Sequence, residues 1–194
     1  MRVIKSVVTT DAILTSSNIP EDEYPAWVSG TSYTALDKVI YEHKIYERIV
    51  TGAGTTTPDL DQINWLDSGY TNRYRMFDNT LSSVSSQTGG IEFTLKPNQV
   101  INGIALLNVN ASTVRVVMND PIEGVVYDRT KELRSSSNVI DYYSYFFAPL
   151  INLGDLDTAI FLDLPNKPTA TITVYVSSGV GLVEVGEVVY GVQS

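Results

Sequence analysis

Residues 27–69 read WVSGTSYTALDKVIYEHKIYERIVTGAGTTTPDLDQINWLDSG, a stretch rich in rings and turn-forming residues and poor in aliphatic bulk. Five aromatic side chains are spread along it: Trp27, Tyr33, Tyr41, Tyr46 and Trp65. A segment this short cannot bury a large aliphatic core, so the rings must supply much of its buried area. The stretch therefore predicts a small β module that is held together by aromatic side chains.

A tight hairpin is predicted in the middle of this stretch. KVIYE (38–42) and KIYERIV (44–50) are rich in β-branched and aromatic residues, which favours two antiparallel strands with a turn near His43. The segment TGAGTTTPDLD that follows is turn-rich and ends the pairing.

From residue 70 onward the sequence changes to short runs of Val, Ile, Leu, Thr and Ser. In IEFTL (91–95), apolar and polar residues alternate as in a strand with one buried face. Further candidate strands follow: VINGIALLNV (100–109), STVRVVM (112–118), VVYDRT (125–130), YYSYFFA (142–148), AIFLDL (159–164), ATITVYVS (170–177) and GLVEVGEVVYG (181–191). Seven or eight short strands at this spacing predict a β-sandwich.

The order of residues in the aromatic stretch resembles the small chitin- and cellulose-binding modules of families 5 and 12. The positions that carry the resemblance cover about a quarter of the chain: Trp27, Tyr33, Asp37, Val39, Tyr46, Pro58 and Trp65. The resemblance implies sugar binding on displayed rings, with four candidate carbohydrate-binding residues: Trp27, Tyr33, Tyr46 and Trp65. The alternative is that these rings are the core of the module.

The second half of the chain resembles the galactose-binding-like jelly roll. MFDN (76–79) before the first core strand and VEVGEVVYG (183–191) near the end carry this resemblance. The resulting prediction is an all-β protein, with a small aromatic β module followed by a jelly-roll β-sandwich. The predicted domains are an N-terminal arm and linker (1–25), a carbohydrate-binding-module-like β domain (26–69) and a jelly-roll domain (70–194).

The charge and cysteine content exclude several classes of function. The chain has 13 Lys plus Arg against 22 Asp plus Glu, which disfavours binding to nucleic acid or to an anionic membrane. The absence of cysteine excludes disulfides and thiolate metal sites. The first residues, MRVIKSVVTTDAILTSS, lack an apolar core of signal-peptide length, so we expect a protein made in a cytoplasm without an export signal.

No pattern for catalysis, cofactor binding or metal binding stands out. His43 is the single histidine, and its position between Glu42 and Lys44 predicts an exposed turn residue rather than a catalytic base or a zinc ligand. Asp78, Asn79 and Ser82 could supply oxygens to a calcium ion, but an Asx-type turn is the favoured interpretation. We therefore predict a protein that is not an enzyme and has neither cofactor nor metal.

The combination of these modules resembles structural proteins of tailed bacteriophages, with residues 70–95 and 100–109 carrying the similarity. It implies a virion structural protein of the tail, baseplate or fibre-attachment region, assembled in the host bacterial cytoplasm. Its implied partners are other virion proteins, symmetry copies of itself and a possible host glycan, without nucleic acid or membrane insertion. The alternative function is a carbohydrate-binding module that recognises cell-surface or cell-wall glycan.

Interfaces between copies are predicted in the aromatic run near residue 145. Rings on both faces of a strand need a partner beyond the sandwich core. The interface candidates are Tyr142, Tyr143 and Tyr145.

Overall fold

The structure is a computed structural model that describes residues 3–133, 142, 146 and 157–193. Within these residues the protein is all-β apart from a short 3-10 turn at Arg75–Phe77 and helical backbone at Tyr142 and Phe146. The predicted fold class, a small β module with a jelly-roll β-sandwich, is confirmed.

The strands of the described residues are as follows: β1 (Ile4–Ser6), β2 (Leu14–Ser17), β3 (Ser32–Tyr33), β4 (Lys38–Tyr41), β5 (Lys44–Arg48), β6 (Gly52–Ala53), β7 (Trp65–Tyr70), β8 (Ser85–Thr88), β9 (Ile91–Leu95), β10 (Gly103–Asn110), β11 (Thr113–Asp120), β12 (Gly124–Glu132), β13 (Ala159–Phe161), β14 (Thr171–Ser177) and β15 (Leu182–Gln193).

Two five-stranded antiparallel sheets form the sandwich. One has the order β1-β15-β10-β13, with β8 also paired to β15, and the other has the order β12-β11-β14-β9-β2. Residues alternate between buried and more exposed positions along β9, β11 and β14, as expected for strands with one face on a core. Phe93, Met118 and Tyr190 are among the largest fully buried side chains of that core.

The N-terminal segment pairs with the sandwich of its own chain. Strand β1 pairs with β15, and β2 pairs with β9. At Gly191 the two backbones approach so closely that a Cβ atom would lie 1.8 Å from the carbonyl oxygen of Lys5. Only glycine fits there. The domain boundaries stay a prediction, but the first 17 residues include two strands of the sandwich.

The small module lies between β2 and β8 in the chain. It consists of a three-stranded sheet, β4-β5-β7, and a two-stranded sheet, β3-β6. The predicted hairpin is confirmed, since β4 pairs with β5 across a two-residue turn at Glu42 and His43. Both turn residues have positive φ, 46° and 64°, as the type I′ turns of two-residue hairpins require.

The aromatic run after residue 141 differs from its prediction where it is described. Tyr142 and Phe146 have helical backbone, and their rings meet at 4.9 Å between centroids. The predicted strand is therefore wrong at these two positions. A ring-rich run is compatible with either a strand or a helix. In a helix, residues four apart share one face, which brings these two rings together. The interface candidates Tyr143 and Tyr145 lie outside the described residues.

Candidate functional site

The core of the small module is built from three buried side chains. Val39, Tyr46 and Trp65 are no more than 5% exposed. The half-buried Tyr33 meets Trp65 edge-on at 5.2 Å, and the Arg48 guanidinium lies 4.9 Å from the Trp65 ring centre. Tyr46 and Trp65 are thus core residues, the alternative that the sequence left open, because a ring this buried offers no face to a sugar.

Trp27 lies at the surface of the module, beside β4. Its amide donates a hydrogen bond to the Ile40 carbonyl at 2.9 Å, and Ala26 forms a parallel bridge with Ile40. The Trp27 ring is half-buried and meets the Tyr41 ring edge-on, 5.5 Å between centroids. Backbone pairing and ring packing therefore fix the orientation of this tryptophan.

A groove of about 330 Å³ opens beside Trp27, and we call it the aromatic groove. It is lined by three rings, two carboxylates and a histidine, with two aliphatic side chains: Tyr24, Trp27, Tyr41, Glu21, Glu42, His43, Ala26 and Ile40. Tyr24 is 36% exposed, and Lys38 Nζ lies 5.6 Å from its ring centre. The groove combines flat apolar surfaces with a few polar groups, the usual composition of a small-molecule site.

A second groove, of about 450 Å³, lies where the module meets the N-terminal segment and the sandwich, and we call it the junction groove. Its lining combines hydroxyl and carboxyl groups with aromatic rings: Thr9, Thr10, Asp11, Ala12, Glu42, His43, Tyr70 and Tyr74. Glu42 and His43 belong to both grooves. The tip of the β4–β5 hairpin is therefore the wall between them.

His43 ties the module to the rest of the chain. Its Nε2 lies 2.8 Å from Asp11 Oδ1, its Nδ1 lies 2.9 Å from Glu21 Oε1, and its ring stacks on Tyr74 at 3.9 Å. Both ring nitrogens can donate only in the imidazolium form. His43 is the predicted turn residue, but it is half-buried in an ion-pair network, so only its expected exposure is wrong.

The protonation of this network follows from its contacts. Burial alone would lower the pKa of His43, but the hydrogen bonds to Asp11 and Glu21 outweigh it and raise the pKa above its ordinary value. The same contact with His43 lowers the pKa of Asp11. The pKa of Tyr74 is raised mainly by burial, and the hydrogen bond to Asp11 raises it further. Arg73 lies 3.7 Å from Glu21 and adds a second cation.

We expect the stability of the protein to fall as the pH rises through the pKa of His43. A folded-state pKa above 6.5 means that protonated His43 stabilises the fold fully below pH 6.5 and that this contribution is lost at higher pH. The pKa of Asp11 is lowered from 3.8, so ionised Asp11 contributes fully to stability above pH 3.8. This contribution is lost as the pH falls through its lowered pKa. The free energy of unfolding, measured by urea denaturation from about pH 5.5 to about pH 8.5, checks this.

The matched control for this titration is His43→Asn, because Asn tolerates the positive φ of the turn and does not titrate. We expect the variant to be less stable than the parent at the acidic end and to lose most of the slope with pH. An unchanged slope in the variant would assign the titration to other groups.

A third groove, of about 480 Å³, lies on the opposite strand of the module's hairpin. Its lining includes the ion pair between Lys44 and Asp67, 2.7 Å apart, with Tyr46 and Trp65 contributing only their small exposed margins. It is larger than the aromatic groove but presents no open ring face.

Several residues of the two grooves were not singled out from the sequence. Tyr24 and Tyr41 can be recognised in the sequence as aromatic residues. Tyr41 directly precedes the hairpin turn, and this position is a signal that its side chain lies beside the hairpin tip. Asp11 and Glu21 carry no local signal, since they reach His43 only through the fold.

The described ranges contain neither a convergent set of metal ligands nor a membrane-spanning helix. No group of three or more His, Asp or Glu side chains in these ranges converges as a metal site would. Asp78 Oδ1 accepts a hydrogen bond from the Thr80 amide at 2.8 Å, which confirms the Asx-type turn at Asp78. None of the helical backbone described here is long and apolar enough to cross a membrane.

Comparisons with known proteins give similarity of structure only. No protein family model matches the chain, and no curated protein matches it. One similar structure is a mutant of the lectin binding domain of lectinolysin complexed with Lewis b, with 12% identity over 62% of this chain and 82% of that chain and a TM-score of 0.40.

Two further structures have similar values. An F5/8 type C domain from Bacteroides fragilis has 9% identity over 61% of this chain and 79% of that chain, with a TM-score of 0.39. The module CBM32-5 from Clostridium perfringens, in complex with GalNAc-β-1,3-galactose, has 12% identity over 62% and 83%, with a TM-score of 0.39. Similarity at this level assigns no ligand to the present chain.

Proposed function

We propose that this chain is a glycan-binding protein and that the aromatic groove of its small module holds the sugar. The observation that carries the proposal is the convergence of Tyr24, Trp27 and Tyr41 on one groove that also contains Glu21 and Glu42. The apolar face of a pyranose stacks on aromatic rings, and its hydroxyl groups donate hydrogen bonds to carboxylates. Both kinds of surface are present within one small volume.

The expected affinity of one groove is low. Burial of apolar ring area is worth on the order of 1–3 kcal/mol for one side chain, and part of any gain is lost to the cost of association. A total near 4 kcal/mol corresponds to a dissociation constant of about 1 mM. Strong attachment therefore requires several copies that act together on a repetitive glycan surface.

The proposed function is binding without catalysis. The single histidine has both ring nitrogens bonded to carboxylates and its ring stacked on Tyr74, so neither nitrogen faces a substrate as a general base would. The role as a bacteriophage virion protein, the symmetry-related copies and the location in a virion stay predictions from the sequence resemblance. A virion would supply the many copies that weak sites need.

The test compares Tyr24→Ala and Trp27→Ala for binding to insoluble chitin and cellulose, with the protein displayed in many copies on beads. We expect each variant to lose binding at least about tenfold, equivalent to 1.4 kcal/mol per site, because each removes a ring from the groove. The matched control is Ile63→Ala, which removes an apolar side chain that is 84% exposed and lines none of the three grooves.

Thermal melts separate loss of the site from loss of the fold. Tyr24 lies outside the buried cluster of the module, so Tyr24→Ala should melt like the parent and keeps the test decisive even if Trp27→Ala is destabilised. Unchanged binding by a folded Tyr24→Ala would overturn the proposal, whether or not Trp27→Ala folds.

A further inference from the structure

The junction groove offers polar groups that the fold itself does not use. Both hydrogen bonds to Asp11, from His43 Nε2 and from the Tyr74 hydroxyl, end on Oδ1. Within the described residues no contact engages Oδ2, and the Asp11 side chain is 71% exposed. Its second oxygen is therefore positioned as an acceptor at the surface of this groove.

Carboxylates outnumber cations in the lining of the two grooves, where His43 is the one basic side chain. The lining of the two grooves contains three carboxylates, those of Asp11, Glu21 and Glu42, and neither lysine nor arginine. Glu21 is mostly buried and satisfied by His43 and Thr71, whereas Asp11 and Glu42 are exposed. Exposed carboxylates accept hydrogen bonds from hydroxyl or amino groups and repel a ligand that is itself acidic.

The two grooves meet at one place. A ligand that leaves the aromatic groove over the hairpin tip passes Glu42 and His43 and enters the junction groove, because these two residues line both. The tip is held in place by the ion pairs of His43 with Asp11 and Glu21. The His43 ring at this shared boundary is therefore fixed, which limits the rearrangement that an extended ligand requires.

We propose that the junction groove is a second sugar subsite, so that the chain binds an extended, non-acidic oligosaccharide across both grooves rather than a single sugar. This inference rests on the proposed function, since the first sugar occupies the aromatic groove. The extension is recognised by Asp11 Oδ2 and by the carboxylate of Glu42.

The experiment compares the full chain with Ala12→Trp, which places a bulky side chain in the junction groove from an exposed position. The matched control is Ala53→Trp, at an exposed position that lines none of the three grooves. Titration calorimetry measures the binding of N,N′-diacetylchitobiose, hexa-N-acetylchitohexaose and a galacturonic acid hexamer. Thermal melts check that all three proteins are folded.

We expect the parent and Ala53→Trp to bind the acetylated hexamer at least about tenfold more tightly than the dimer. Ala12→Trp should keep its affinity for the dimer and lose most of that advantage. Additional registers of a hexamer on a single groove remain in the variant, so they cannot account for such a loss. The acidic hexamer should bind more weakly than the acetylated one.

Three different outcomes would each contradict a different part of the proposal. Binding of neither acetylated oligomer by the parent overturns the proposed function itself. Equal affinity for dimer and hexamer, or an advantage that survives in Ala12→Trp, overturns the second subsite alone. Equal binding of the acidic hexamer overturns the selectivity that we assign to Asp11 and Glu42.

Discussion

Replacing Trp65 by alanine should lower the free energy of unfolding of the small module by about 3–5 kcal/mol, the general range for truncation of buried Phe and Trp residues. The indole is 3% exposed and contacts Tyr33 and Arg48 on its ring. Few other apolar side chains are available to fill the space, because the buried cluster of the module contains only Val39 and Tyr46 besides Trp65.

The matched control for this substitution is Leu66→Ala. Leu66 is the next residue on β7 and is 55% exposed, so its truncation should change the stability by no more than about 0.5 kcal/mol. Urea denaturation followed by the fluorescence of Trp27, which Trp65→Ala retains, reports on the module. Equal stability of the two variants would show that Trp65 is not a core residue.

Replacing Gly191 by alanine should detach β1 from the sandwich. The new Cβ would lie 1.8 Å from the Lys5 carbonyl oxygen, a backbone atom that cannot move without breaking the pairing of β1 with β15. Overpacking of this kind costs about 1–3 kcal/mol, and occasionally more. Hydrogen exchange at the amides of residues 4–7 and the unfolding free energy together measure this effect.

Gly54→Ala is the matched control for Gly191→Ala. A Cβ atom at Gly54 would have nothing within 4 Å, and its backbone lies outside the left-handed region. Gly54→Ala should therefore be neutral or slightly stabilising, since it reduces the entropy of the unfolded chain. If Gly191→Ala behaves like Gly54→Ala, the close approach of β1 and β15 is not required for stability.

Local signals in the sequence predicted much of the fold. The alternation in residues 91–95 predicted β9, and the ring-rich runs 38–42 and 44–50 predicted β4, β5 and the turn between them. These elements follow from side-chain periodicity and turn chemistry, which act over a few residues. For the N-terminal segment the sequence predicts an arm and linker, because β15 and β9, the partners of its strands β1 and β2, are distant in the chain.

The candidate site was predicted less completely than the fold. The sequence predicted four carbohydrate-binding rings: Trp27, Tyr33, Tyr46 and Trp65. The structure buries Tyr46 and Trp65 in the core of the module. Which ring is buried depends on the packing of the whole module, and the order of residues does not reveal it. The network around His43 joins the N-terminal segment, the hairpin tip and the sandwich. No spacing rule connects such distant positions.

The position of the small module between β2 and β8 gives it an influence on the sandwich that does not require contact. The folded module brings the two ends of the chain segment between Ser17 and Ser85 to a fixed separation. If the module unfolds, the same residues become a flexible loop, whose closure costs about 0.6 kcal/mol for each doubling of its length. A ligand that stabilises the module therefore also raises the melting temperature of the β-sandwich.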